Sequence, residues 1–369
     1  WAIGKNKLDY SKAKTPLRPE NNRFTLERLI QGQLFEPTEM TILPNKDVLI
    51  AQRRGELMLY SENKKSVSQV AKLDVYSTAN VKGVNAEEGL MGLQKDPDFA
   101  KNKFIYLFYA ATDKPVNRLS RFIFEGDSLQ KSSELIVLEV ASQRDICCHT
   151  GGSIAFSGDG QYLFVSTGDN ATPFDQPDQK YTNRGFAPQD DRPGFEQYDA
   201  RRSSGNTNDL RGKILRLKRN ADATYTIPED NLFKPGNPKA RPEIYVMGNR
   251  NPYRISVDPK NSYLYWGEVG PDAGSNDSLR GPRGYDEVNQ AKAPGNFGWP
   301  LFVGNNYAYH AYNYNTGESG AAYDPNKPIN NSRNNTGLEE LPPAMPAMIY
   351  YPYDVSEEFP MLASGGRNA

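Results

Sequence analysis

His149 and His310 are the chain's two histidines, so a three-histidine metal centre is excluded and any histidine base must be one of the two. His149 follows Cys147-Cys148 and precedes "TGGSIAF", at the start of an apolar strand-like run. The two adjacent glycines there permit close approach of a ligand to the backbone. A neutral imidazole in that place can accept a hydroxyl proton as the carbon bearing the hydroxyl loses hydride. Asp169, which closes the next apolar run "YLFVSTGD", can orient the ring and stabilise its charged form. The competing reading of His149 is a hydrogen-bonded structural histidine. His310, in "YAYHAYNY", has no metal-ligand pattern beside it and reads as a packing residue.

Two other segments carry polar groups suited to a ligand. "VMGNRNPYRISVDP" places Arg250 and Asn251 at a turn before a strand, where the guanidinium fork suits a carboxylate or quinone oxygens and the amide matches another polar edge. "LRGPRGYDEVNQAKAPGNFGWP" joins Gly-Pro turns to Asp286 and Glu287, hard oxygen donors of the kind calcium takes, although acidic turns are usually just solvated. Adjacent Cys147 and Cys148 lack the spacing of a zinc cluster and leave both a vicinal disulfide and two free thiols open. No GxSxG elbow or dinucleotide-binding GxGxxG is present. Asp190 and Asp191 would serve glycoside hydrolysis only if the fold set two acids across a sugar.

The elements that must position these residues read as β. "TIL", "DVLIAQ" and "GELMLYS" over 39–61, "FIYLFYA" before 111, the pair of runs around Asp159-Gly160, "LRGKILRLKR", and the runs flanking Asp258-Pro259 all show short alternations punctuated by turns. They recur in units that each need neighbours to cover their faces, which predicts an all-β propeller rather than an evenly spaced sandwich. Segments 170–208 and 303–343 read as long excursions from that scaffold. The chain is 369 residues with a formal charge of −1, so a basic nucleic-acid footprint is not expected. No apolar run is long enough for a membrane span. The polar stretch 1–33 reads as an N-terminal extension and 34–369 as the propeller domain.

Taken together, "HTGGSIAFSGDGQYLFVSTGDN", "LRGKILRLKRN", "EIYVMGNRNPYRISVDP" and "RGPRGYDEVNQAKAPGNFGWP" resemble, in order, the soluble glucose/sorbosone dehydrogenase family of quinoprotein aldose dehydrogenases. The resemblance covers about residues 34–300 and, more weakly, 300–369. It implies a six-bladed β-propeller with pyrroloquinoline quinone over the central axis, held by calcium. It implies His149 as the base toward the sugar hydroxyl, Asp169 as its partner, and Arg250 and Asn251 as donors beside the quinone carbonyls. Arg280 falls at a cofactor-contact position where a glutamine can occur. Gly281 and Pro282 match positions whose backbone carbonyls hold the cofactor's calcium, and Glu287 resembles a ligand of a second, structural calcium. The substrate implied is a small carbohydrate, the electron acceptor is left open, and the location implied is periplasmic or secreted.

Two departures accompany the resemblance. Tyr253 stands where small or amide-bearing residues often occur, and the basic residues by which later blades clamp the quinone's carboxylates have no counterpart. The ending "YYPYDVSEEFPMLASGGRNA" reads as the approach to a further blade, which leads to the expectation of a propeller incomplete at its C-terminal end, completed by a further fragment or domain. The alternative is a non-redox carbohydrate-binding or interaction propeller that has lost the cofactor.

Overall fold

The computed structural model describes residues 23, 25–78, 87–144 and 146–361. Contacts divide the chain into two units, Trp1–Leu34 and Phe35–Ala369. Most of the expected extension over 1–33, and the last eight residues of the C-terminal stretch, lie outside the described residues. Residues 25–34 of the first unit carry no strand.

The second unit is built from β-sheets of successive strands. The first sheet joins β1 (Pro37–Ile42), β2 (Val48–Gln52), β3 (Glu56–Ser61) and β4 (Ser66–Lys72). The second joins β5 (Leu90–Lys95), β6 (Phe104–Ala110), β7 (Val116–Glu125) and β8 (Ser128–Ala141). The third runs through β9 (Gly151–Phe156), β10 (Tyr162–Thr167), β11 (Lys213–Arg219) and β13 (Ile244–Met247), with the short β12 (Tyr225–Thr226) paired to β11 and β17 (Gly295–Asn296) added in parallel to β13. The fourth joins β14 (Pro252–Val257), β15 (Leu264–Glu268), β16 (Tyr285–Ala291) and β22 (Ile349–Pro352). Within each sheet the four principal strands pair antiparallel, as short connections require.

The expected six-bladed propeller is therefore corrected to four blades, arranged in a ring round a common axis. The first strands of the sheets meet one another. Thr38 Oγ1 on β1 donates to Leu90 O on β5 at 2.7 Å, and Ile255 N on β14 donates to Ser153 Oγ on β9 at 3.2 Å. Arg254 on β14 donates to Thr38 O and lies 3.5 Å from Glu39, so the fourth blade meets the first. The physical reason for the smaller count is that chain length goes into excursions between strands. Residues 170–208 hold two 3-10 turns and no strand, and 303–343 hold the small strands β19 (Tyr307–Ala308), β20 (His310–Asn313) and β21 (Glu318–Ala322), after β18 (Phe302–Val303).

Close approach at the axis depends on glycine. A Cβ on Gly92 of β5 would stand 2.0 Å from Gly152 O of β9, and one on Gly152 would stand 2.7 Å from Met91 Cβ. Gly152 also has φ +110°, which side chains beyond glycine rarely adopt. The interior beside this contact holds Met91, Phe108, Ile154, Leu163, Val165 and Leu215, all buried. Full burial of each such aliphatic or aromatic side chain stabilises by about 1.5–3 kcal/mol. The Asp159-Gly160 turn between β9 and β10 forms as expected: Gly160 N donates to Ser157 O at 2.8 Å and Gly160 takes φ +71°.

Candidate functional site

His149 stands just before β9, Asp169 just after β10, and Arg250 and Asn251 just before β14, so three strand ends of two adjacent blades deliver them to one place. The backbone turns sharply to do so. Cys148 and His149 both have left-handed φ, +90° and +64°, which costs energy in residues with a Cβ. The side chain of Glu87 compensates by accepting the backbone N–H of His149 at 2.6 Å and of Thr150 at 3.2 Å. A Cβ on Gly168 would stand 2.0 Å from His149 O, so glycine there lets the chain lead Asp169 against the imidazole. Cys147 and Cys148 are joined as a disulfide immediately before this turn.

His149 Nδ1 lies 2.6 Å from Asp169 Oδ1, with His149 4% and Asp169 0% exposed. A carboxylate accepts and does not donate, so the proton sits on Nδ1 and Nε2 carries the lone pair. Among the described residues Nε2 has no protein partner. Both carboxylate oxygens of Asp169 are engaged. Oδ1 also accepts from Ala171 N at 2.9 Å, Oδ2 accepts from Trp299 Nε1 at 2.7 Å, and Asp169 N donates to Arg250 O at 2.8 Å. Asn251 Oδ1 accepts from Gly151 N at 3.1 Å, leaving its amide N–H groups for other use. Arg250 gives Nη1 to Val269 O at 3.1 Å and lies over the Trp299 ring, 5.9 Å from its centroid.

Behind Asp169 lies a buried set of charges. Burial pushes Lys213 down to about 7 and Arg202, beside Arg211, down to about 10. Burial alone would raise Asp209, but Arg211 and Lys213 hold it below the usual carboxylate range. The Lys213 Nζ donates to Ser203 O, Ser204 O and Arg211 O at 2.8–2.9 Å, matching the three N–H groups of an ammonium. These cations place positive potential behind Asp169, and they fasten the end of the 170–208 excursion to the third blade.

A second acidic corner adjoins Arg250. Glu268 on β15 and Glu287 on β16 are directly opposite in register and share a cavity of about 10 Å³, room for one water, with Arg250 and Trp299. Burial raises Glu287 to about 7, and burial together with Glu287 raises Glu268 well above the carboxylate range. Glu287 Oε1 accepts from Gly304 N at 2.5 Å and Oε2 from Asn289 Nδ2 at 2.9 Å. Among the described residues the buried Tyr309 hydroxyl has no hydrogen-bond partner.

The structure treats the expected residues differently. His149 and Asp169 are in direct side-chain contact, Arg250 joins Asp169 through its backbone carbonyl, Asn251 joins the strand after His149 at Gly151 N, and Glu287 lines the same cavity as Arg250. Arg280, Gly281 and Pro282 sit apart in a turn, and among the described residues no hydrogen bond joins that turn to the His149 group. Arg280 donates to Thr182 O at 2.7 Å and Tyr314 Oη at 2.8 Å, tying the two long excursions together. Gly281 O accepts from Asp277 N at 2.9 Å within its own turn. His310 bonds across its hairpin to Gly320 O at 3.1 Å, in keeping with a packing role. Trp299, Glu87 and Glu268 escaped sequence reading. Trp299 lies in the quoted "GNFGWP", but its partner is 130 positions away.

The free Nε2 of His149, the remaining donors of Arg250 and the amide of Asn251 fit a planar quinone bearing carbonyl oxygens. Calcium fits less well. Among the described residues no three His, Cys, Asp or Glu side chains group as metal ligands, and both oxygens of Glu287 already accept hydrogen bonds, whereas calcium takes six to eight oxygens.

Comparison with known proteins follows the same segments. The family model described as Glucose / Sorbosone dehydrogenase matches residues 34–187 and 194–338. The aldose sugar dehydrogenase YliI of Escherichia coli is 28% identical over 292 residues, 76% of this chain and 63% of that protein. Quinoprotein glucose dehydrogenase B of Acinetobacter calcoaceticus is 25% identical over 301 residues, 78% and 55% respectively. A solved oxidoreductase named as a glucose dehydrogenase, from Thermus thermophilus, is 28% identical with a TM-score of 0.53, covering 74% of this chain and 67% of that one. The chain spans between 55% and 63% of the length of these two curated relatives. Among the described residues no helix is long and apolar enough to cross a membrane.

Proposed function

Because the chain belongs to the glucose/sorbosone dehydrogenase family, we propose that it oxidises a hydroxyl-bearing carbon of an aldose or related carbohydrate, with His149 as the base. The observation that carries this reading is the buried 2.6 Å contact from His149 Nδ1 to Asp169 with Nε2 left free. Pyrroloquinoline quinone, when bound, supplies the two-electron acceptor for the hydride. The chain's own residues do the rest. Nε2 takes the hydroxyl proton as the C–H bond breaks and the carbonyl forms, and Asp169 stabilises the imidazolium that results. Arg250 and the Asn251 amide offer donors to oxygens that gain negative charge as hydride departs from the sugar. Arg280 acts as a tie between excursions. The names of the E. coli and Acinetobacter relatives support a sugar substrate and a quinone acceptor. A periplasmic or secreted location goes with this reading as what the family resemblance implies.

The test is reconstitution with the quinone and calcium, followed by sugar-dependent dye reduction. His149→Ala is expected to lower turnover by about 10²–10⁴-fold while leaving the unfolding midpoint within a few degrees. Cofactor binding without sugar oxidation by the parent protein would leave a binding propeller and overturn the dehydrogenase reading. Unchanged turnover in His149→Ala would remove the histidine from its role.

A further inference from the structure

Asp169 is held from two sides by ring N–H groups. His149 Nδ1 approaches Oδ1 at 2.6 Å and Trp299 Nε1 approaches Oδ2 at 2.7 Å. Trp299 is itself fixed: it is 5% exposed, Ser204 Oγ donates to its carbonyl at 3.1 Å, and its ring packs edge-on against Tyr309 with centroids 6.2 Å apart. The same indole lies under the Arg250 guanidinium. One residue from the fourth blade's outgoing segment thus touches the carboxylate of the third blade and the arginine that precedes the fourth.

We propose that Trp299 is a positioning residue: its Nε1–H fixes the Asp169 carboxylate and draws off part of its charge, and so sets the proton affinity of His149. The inference rests on His149 acting as the base, but the property it concerns is a property of the protein alone. A hydrogen bond donated to an ionised carboxylate stabilises the charge and weakens the carboxylate's pull on its other partner. Without the indole N–H, Asp169 bears its charge more fully toward Nδ1, and the imidazolium form of His149 gains. The other groups facing this pair stay in place: Glu87 at the His149 backbone, Arg202, Arg211, Lys213 and Asp209 behind Asp169, and Arg250 over the indole. The surroundings of Asp169 other than the indole are the same in parent and variant, so the change reads out on His149.

With two histidines in the sequence, the cofactor-free chain gives one Cε1–H and one Cδ2–H NMR signal from each, and a His310→Gln variant assigns the pair that belongs to His149. The comparison is between the parent, Trp299→Phe, and a protein with benzothienylalanine placed at position 299. The last of these keeps the bicyclic shape and replaces the N–H with sulfur, which separates the lost donor from any lost packing. The His149 midpoint is expected to rise by about 0.5–1 pH unit in both. In the reconstituted enzyme the acid limb of the turnover profile should move with it, with kcat lowered by about tenfold and KM within about twofold. A His149 midpoint unchanged in the benzothienylalanine protein overturns the proposal, even if Trp299→Phe alters folding. Failure of the parent to oxidise sugar would overturn the function proposed above and leave the titration result standing.

Discussion

Replacing Asp169 with Asn keeps the size of the side chain and exchanges one acceptor oxygen for a donor. Two orientations are open to the amide, and the geometry penalises both. With its oxygen toward His149, the amide still accepts from Nδ1 and from Ala171 N, but its NH2 faces Trp299 Nε1–H across 2.7 Å, donor against donor. Flipped, it satisfies Trp299 but presents NH2 to His149 Nδ1, which drives the proton to Nε2 and occupies the atom that must act as base. The site is fully buried, so an unsatisfied donor costs about 1–3 kcal/mol, and the cations behind Asp169 lose a counter-charge. Asp169→Asn should therefore destabilise by roughly 3–5 kcal/mol, the range for removing one partner of a buried charged group. Trp299→Phe alone should cost about 1–3 kcal/mol through the unpaired Oδ2. In the double variant the donor conflict is gone, so the amide can face His149 with no opposing N–H. The double-mutant cycle in urea is then expected to show a favourable coupling of about 1–3 kcal/mol. Additivity within about 0.5 kcal/mol would refute the reasoning, because it would mean that Asp169 and Trp299 do not share the contact.

Two further outcomes follow from buried groups elsewhere. Glu287, raised to about 7 by burial, binds more protons folded than unfolded between about pH 4.5 and 7, so its contribution to stability is lost as pH rises through 7. In metal-free protein at pH 8, Glu287→Gln should be more stable than the parent by up to about 3 kcal/mol and near parity at pH 4.5, measured by urea unfolding. Asn289 Oδ1, which has no partner among the described residues, can turn to accept from the new amide N–H, and a parent curve flat from pH 5 to 8 would contradict the account. Gly92→Ala should destabilise by at least ~2 kcal/mol, because its Cβ would meet Gly152 O at 2.0 Å, whereas Gly267→Ala, with nothing within 4 Å, should change stability by less than ~0.5 kcal/mol. Equal effects in thermal unfolding would show that the axis does not constrain Gly92.

Much of the local structure was legible because it is encoded locally. Alternation in "FIYLFYA" and "YLFVST" became β6 and β10, and Asp159-Gly160 became the turn its left-handed glycine requires. The pairing of Asp169 with His149 was expected from their places at the two ends of one pair of apolar runs, while Arg250 and Asn251 were expected only as donors beside a quinone. The long hairpin of β7 and β8 was missed, as it turns at Gly126-Asp127 within a charged stretch. So were the pairs that depend on register: Glu268 opposite Glu287, and Trp299 against Asp169.

By itself the sequence determined an all-β chain with turn-delimited strands and named His149, one of two histidines, as a candidate for proton transfer, because alternation, turn chemistry and residue type act over a few neighbouring positions. Tertiary structure alone decided the count of four blades where six were expected, the role of Arg280 as a tie between excursions, and the second hydrogen bond on Asp169. Those depend on how blades pack and which strand ends meet at the axis, and contacts across 100 or more positions leave no local pattern from which to read them.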